Sequence, residues 1–351
     1  MSLINQSETS KYKDFDMQSV KHYILNTMHS NSLKASILLL GSISAHAAQI
    51  ATSHPAHHEQ ELYQSSVFKK MIPKFSASYI DLDFNSSAEN SYNLFHGFSN
   101  IYSAGIDNLR INRKTSAGLY LFQINSRITS RTYLFPTHPI NAHTSISNNT
   151  LFGHVLRKIN KKMVVDVLGS IGQNNMVNNS TIEDVSHITG YSNTTNQVYL
   201  VGASGSYLKP VKKLQLKFSL GGLFNLINSG TGYSYHNEGF PMQTIKPLVT
   251  KTGIVFENLE LGYRMNRTLT PYISGGLVQV PYFSNSRRIF DPAQVVGPVP
   301  QLVMNQSAYR LGAGISINKK SYSLRIDQRY YNSVNTLITN TTTATLSCRF
   351  S

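Results

Sequence analysis

The feature that most narrows what this chain can fold into is a two-residue alternation that recurs from Ser76 to its end. Between Leu214 and Ile227, one parity holds Leu214, Leu216, Phe218, Leu220, Phe224 and Leu226, and the other holds Gln215, Lys217, Ser219, Gly221 and Asn225. Successive side chains of a strand point to opposite faces, so this segment builds a sheet with one apolar face and one that accepts charge. At about 3.4 Å per residue it exceeds an ordinary strand and suits a tilted bilayer crossing. The same pattern returns in Tyr309 to Ile317, in Tyr322 to Asp327, and in Tyr120, Phe122, Ile124 and Ile128 set against Leu121, Gln123, Asn125 and Arg127.

A Lys or Arg facing lipid at mid-membrane costs about 2 to 4 kcal/mol, so the charged parity is assigned to a lumen and the apolar parity to the bilayer. Lys217, Glu260, Arg310, Arg325, Asp327, Arg329 and Arg349 then line the lumen, while Tyr120, Phe122, Ile124 and Ile128 are expected to face lipid. The excess of cations on this wall predicts a preference for anions.

Strand segments separated by turn signals add up to an all-β, closed antiparallel transmembrane β-barrel of about twelve strands over residues 76–351. Its connections sort into two kinds. Five are tight and basic, namely Arg110 to Lys114, Ile159 to Lys162, Lys209 to Lys213, Met265 to Thr268 and Lys319 to Ser321. Others are long, notably Gln173 to Thr195, Ser229 to Thr252 and Pro281 to Gln306. Short periplasmic turns on one rim and long extracellular loops on the other characterise outer-membrane barrels.

The charge content fits this reading. Only 14% of residues are charged, against about 25% in ordinary soluble domains, although the net charge is +15. A highly charged disordered chain is excluded. The single cysteine, Cys348, has no intramolecular disulfide partner and no Cys-based metal site to join.

No apolar run is long enough for a membrane-spanning helix. The longest, Ala35 to Ile43, spans nine positions against the roughly 20 required. Preceded by Lys34 and followed by Ala45-His46-Ala47, it reads as a signal peptide cleaved after Ala47, with Ala45 and Ala47 as the small residues of the cleavage site. Starting at Met28 gives this signal ordinary proportions, so residues 1–47 are taken as an N-terminal extension plus signal. Residues 48–75 follow as a periplasmic leader. Within it Glu59 to Ile72 forms a possible lumen helix, with Tyr63, Val67 and Met71 on one face and Pro73 as its stop.

At the C-terminus Ala344, Leu346, Cys348 and Phe350 alternate up to the penultimate position, resembling the terminal strand recognised by the outer-membrane insertion machinery. Twelve strands, this ending and a short helical segment ahead of the first strand together resemble the translocator domain of bacterial autotransporters, over roughly Tyr63 to Phe350. The resemblance implies an outer-membrane location and a lumen threaded by a helix while an N-terminal passenger is exported. Here only a short leader precedes the first strand, so either the passenger is missing or the barrel itself is the functional object.

Other clusters carry little chemistry. His54, His57 and His58 sit in a polar leader without supporting ligand geometry, and His236-Asn237-Glu238 fits no nucleophile-base motif. Gly221-Gly222 and Gly275-Gly276 lie inside strands with no following helix, so they are bends rather than phosphate loops. No cofactor or metal is expected. The expected function is a translocator or pore without enzymatic activity; a surface adhesin using the long loops is the alternative, and a barrel enzyme a third. Expected partners are outer-membrane lipid and lipopolysaccharide, the insertion machinery, and host surfaces or small solutes, with no nucleic acid; the basic turns face phospholipid headgroups instead.

Overall fold

The computed structural model describes residues 71–88, 91–133, 139–182, 189–230, 232–236, 243–245, 248–285, 307–319, 321–333 and 337–348. The strands are β1 (Ile72–Ala88), β2 (Ser91–Arg110), β3 (Thr115–Tyr133), β4 (Ile140–Lys158), β5 (Met163–Ile182), β6 (Thr189–Val211) and β7 (Leu214–Ser229), then β8 (Gly232–His236), β9 (Gln243–Ile245), β10 (Leu248–Tyr263), β11 (Leu269–Asn285), β12 (Ser307–Asn318), β13 (Tyr322–Ser333) and β14 (Leu337–Cys348). β1 pairs with both β2 and β14, and β5 with β6, so β1 to β7 and β10 to β14 close into a twelve-strand antiparallel barrel. The short β8 and β9 form a hairpin that extends the sheet from the upper part of β6. Among the described residues no helix is long and apolar enough to cross a membrane, and the crossing is made by strands.

Four of the tight turns show why the chain reverses where it does. In three, Asn112, Asn160 and Asn266 accept the backbone N–H of the residue two positions on, a local turn that a short polar side chain favours. In the β6–β7 turn, Lys212 adopts φ 54°, the left-handed conformation needed for a reversal this tight. The exposed outward residues above these turns, among them Leu119, Leu121, Val167, Ile171, Val201, Phe218, Leu220, Ile273 and Leu311, form the apolar band that meets lipid.

The strands differ in length, and this alters the sequence reading. β12, β13 and β14 have 12 residues each, about what a tilted crossing needs, whereas β2 to β6 have 19 to 23. The long strands therefore stand above the bilayer as a tall wall. Much of the expected loop Gln173 to Thr195 is strand, since β5 continues to Ile182 and β6 begins at Thr189. Asn, Ser and Thr occupy both of its faces, with Asn175, Asn179, Asn193 and Thr195 outside in water and Asn174, Asn178, Ser192 and Thr194 buried inside, so no apolar parity marks it as strand.

The tall wall also reverses the expected facing of β3. Tyr120, Phe122, Ile124 and Ile128 are buried inside the barrel, and Leu121, Gln123, Asn125 and Arg127 point outward. Arg127 stands outside, above the bilayer, where the outer face is aqueous; lower down Tyr120 sits between the lipid-facing Leu119 and Leu121, so both parities are apolar at bilayer depth, and Tyr120, Phe122, Ile124 and Ile128 pack within. There they join Ile80, Leu82, Phe84, Phe95, Ile101, Ile146, Phe152, Leu168 and Met176 in one core.

β1 begins at Ile72, ahead of the expected start at Ser76, and takes the last residue of the expected 59–72 helix. Met71 is described and exposed, whereas residues 59–70 of that segment, the signal with Ala45 and Ala47, the leader histidines, and Phe350 lie outside the described residues. His236 falls in β8.

Candidate functional site: the charged lumen

Below the apolar core the inner wall becomes polar, and its charges gather into two networks. The first spans β10 to β13. Arg325 Nη2 donates to Glu260 Oε2 at 2.9 Å, Arg325 Nε lies 3.7 Å from Asp327 Oδ2, and Arg329 Nε donates to Asp327 Oδ1 at 2.7 Å. The Arg325 guanidinium sits 4.0 Å from the centre of the Tyr272 ring, a cation–π contact. Arg310 lies 5.5 Å over the Phe256 ring and directs Nη2 toward the Glu257 carbonyl at 3.4 Å. Lys217, 1% exposed, stands opposite Glu260 in the β7–β10 register.

The second network, on β1 to β5, was mostly missed in the sequence. Lys74 Nζ donates to Asp107 Oδ2 at 2.6 Å. His154 is held between two carboxylates, with Nδ1 3.0 Å from Asp166 Oδ1 and Nε2 3.3 Å from Asp107 Oδ1. Asp107 reaches this position because the β2–β3 register shifts between Ile106 and Leu109, where Asn108 takes φ 60°. The shift turns Asp107 and Asn108 inward together, and the Asn108 N–H donates to Asp107 Oδ1 at 2.8 Å. Pairing of this kind is what permits charge at such burial, since an isolated buried ion is strongly disfavoured.

An aromatic layer caps the second network. Tyr120 and Phe152 meet at 6.0 Å between ring centres, Phe122 and Phe152 at 5.7 Å, and the His154 ring lies 6.1 Å from Phe152. The lumen thus passes from paired charges near the short turns to aromatic and aliphatic side chains interleaved with buried Asn, Ser and Thr residues such as Asn148, Asn174 and Asn178 above.

Of the residues assigned to the lumen from sequence, Lys217, Glu260, Arg325 and Asp327 are buried on the inner wall, and Arg310 and Arg329 share its parity half-buried. Glu260, Arg325, Asp327 and Arg329 meet in one network; Arg310 stands apart on Phe256, and Arg349 lies outside the described residues. Lys74, Asp107 and His154 were legible only in part. Lys74 shares a parity with Ser76 and Ser78, but Asp107 is aimed by a bulge that sequence does not announce. Among the described residues no group of His, Cys, Asp and Glu is placed to hold a metal ion.

A closed transmembrane barrel with short turns on one rim and a charged inner wall defines an outer-membrane β-barrel protein. In fold it is of the autotransporter-translocator kind. It is similar to the translocator domain of the autotransporter NalP from Neisseria meningitidis, at TM-score 0.62 and 12% identity, over 88% of this chain and 98% of that one. It is also similar to the β domain of the Bordetella autotransporter BrkA, at TM-score 0.53 and 13% identity over 80% and 100% of the two chains. A third likeness is to the transport unit of AIDA-I from Escherichia coli, at TM-score 0.53 and 8% identity over 84% and 97%. No known sequence family and no curated protein matches the chain.

Proposed function

We propose that this protein is an outer-membrane translocator or pore of a Gram-negative bacterium, with passage through the charged lumen and no enzymatic step of its own. The observation that carries this reading is the barrel itself, whose closure isolates a polar inner wall from lipid. Its shape similarity to translocator domains over most of the chain supports the same reading. The outward row Ala344, Leu346 and Cys348 on the last strand supports delivery by the insertion machinery.

Arg310 sets the expected ion preference. Its partners in the structure are the Phe256 ring and a backbone carbonyl, so its charge is left to act on permeant ions, whereas Arg325 and Arg329 are matched by carboxylates. Planar-bilayer recording of the purified protein, with and without residues 48–70, tests the proposal. Conductance in either form, with an anion preference that Arg310→Ser shifts toward cations and that high salt weakens, is the expected result. Silence in both forms discards the pore.

A further inference from the structure

The outer surface of the tall wall carries a feature that the lumen does not use. On β3 to β6, Gln123, Asn149, Gln173 and Gln197 stand opposite one another in register, one per strand, and all four are exposed on the outside. The next row toward the short turns, Leu121, Leu151, Ile171 and Tyr199, is also outward. These two rows line a groove of about 920 Å³. Tyr199 Oη donates to Gln197 Oε1 at 3.0 Å, which turns the amide nitrogen of Gln197 away from the ring.

The groove follows the line where the outer face changes solvent. Above it the outward positions are Asn125, Ser147, Asn175 and Thr195, all exposed and polar; below it they are apolar. At this level the lower row meets acyl chains and the amide row meets the headgroup layer, and a soluble partner would have no use for a leucine-rich row at bilayer depth. The occupant is therefore an amphiphile with its chain against the lower row and its headgroup on the upper one. Neutral amides that both donate and accept match the hydroxyl and amide groups of a sugar, whereas a simple phosphate headgroup calls for cations. The nearest cation higher on the same face of β3 is Arg127, exposed and about 14 Å along the strand from Gln123. That is within reach of a phosphate carried on the far side of a disaccharide.

We propose that this groove binds a glycolipid of the outer leaflet, a phosphorylated sugar headgroup bearing acyl chains, with the amide row on the sugar and Leu121, Leu151 and Ile171 on the chains. The site requires only a barrel in an outer membrane and stands whether or not the lumen conducts.

The test measures binding of lipid A, with phosphatidylglycerol as the comparison lipid, to the purified, folded protein in detergent by native mass spectrometry. Folding is checked by the migration shift on boiling. The combined variant Gln123→Leu, Asn149→Leu, Gln173→Leu and Gln197→Leu should bind lipid A at least about tenfold more weakly, the order expected when several hydrogen bonds are lost. A control with Asn340→Leu and Thr342→Leu, outward residues of β14, should bind as the wild type does. Unchanged affinity in the fourfold variant, an equal loss in the β14 control, or phosphatidylglycerol binding as tightly as lipid A overturns the proposal. Should the fourfold variant not fold, Gln173→Leu with Gln197→Leu is held to the same criteria, with a loss of at least about threefold expected.

Discussion

Arg325 on β13 reaches past β12 and β11 to Glu260 on β10, spanning 65 residues of sequence with a single 2.9 Å hydrogen bond. Both side chains are almost wholly buried, at 5% and 6% exposure, and the Tyr272 ring of the intervening β11 supports the guanidinium. The pair is a chord across one corner of the lumen. It ties strands that the hydrogen-bond ladder leaves three places apart.

Removing one end of this chord should cost much more than removing both. Arg325→Met leaves Glu260 buried without its partner, a loss of about 3 to 5 kcal/mol, while Arg325→Met with Glu260→Gln should recover a good part of that. Urea unfolding in detergent, followed by the boiling-sensitive gel shift, reads the difference. Strictly additive single losses would mean that the two groups do not depend on each other.

His154 on β4 makes the matching reach over β3 to Asp107 on β2, and Gly118 lies directly beneath it. A Cβ at Gly118 would stand 2.3 Å from His154 Nε2, whereas one at Gly153 would meet nothing nearer than 3.7 Å. Gly118→Ala should therefore displace the imidazole and destabilise the barrel by about 1 to 3 kcal/mol, with Gly153→Ala close to neutral. Equal effects would show that the imidazole has room to move.

The reversal of facing along β3 gives a third test. Phe122→Ala removes a ring from the inner core and should cost about 3 to 5 kcal/mol. Leu121→Arg, one position away but on the outer face just below the waterline, should cost only about 0 to 1 kcal/mol, and Asn125→Arg, outward on the same strand above the bilayer, should be nearly neutral. A mild Phe122→Ala would return that side chain to the lipid face.

On the aqueous outer surface, His96 Nδ1 lies 2.7 Å from Asp83 Oδ1. That hydrogen bond, outweighing slight desolvation and reinforced by the charges of Asp83 and Asp81, raises the imidazole pKa above its ordinary value of 6.5. The stability contributed by the pair is thus complete below pH 6.5 and fades as pH rises through the raised value. Both groups are exposed, so the effect is at most about 1 kcal/mol. An NMR titration should place His96 above 6.5 in the wild type and return it toward 6.5 in Asp83→Asn.

The barrel was legible wherever lipid enforces the alternation. From Leu214 to Leu226 and from Tyr309 to Ile317, an apolar parity set against Lys217 or Arg310 identifies both faces at once. The alternation misled where strands leave the bilayer, because above it water lies outside and the rule inverts, as at Ile128 and Arg127, and where both parities are apolar, as at Tyr120 and Leu121. The β10–β13 network could be anticipated, since regular strands keep Glu260, Arg325 and Asp327 on one parity. The Lys74–Asp107–His154 network could not, because it depends on the backbone irregularity at Asn108 and on space above Gly118, and neither leaves a periodic trace.

The inversion of the pattern partway up β3 to β6 also acts as a depth gauge. A uniformly alternating strand slides along the membrane normal with little penalty, because one apolar residue replaces another at each level. Here a shift of two residues in either direction carries Gln173 into hydrocarbon or lifts Ile171 into water. Strand by strand the chain thus carries its own waterline, which fixes how far the wall of the barrel stands above the cell surface.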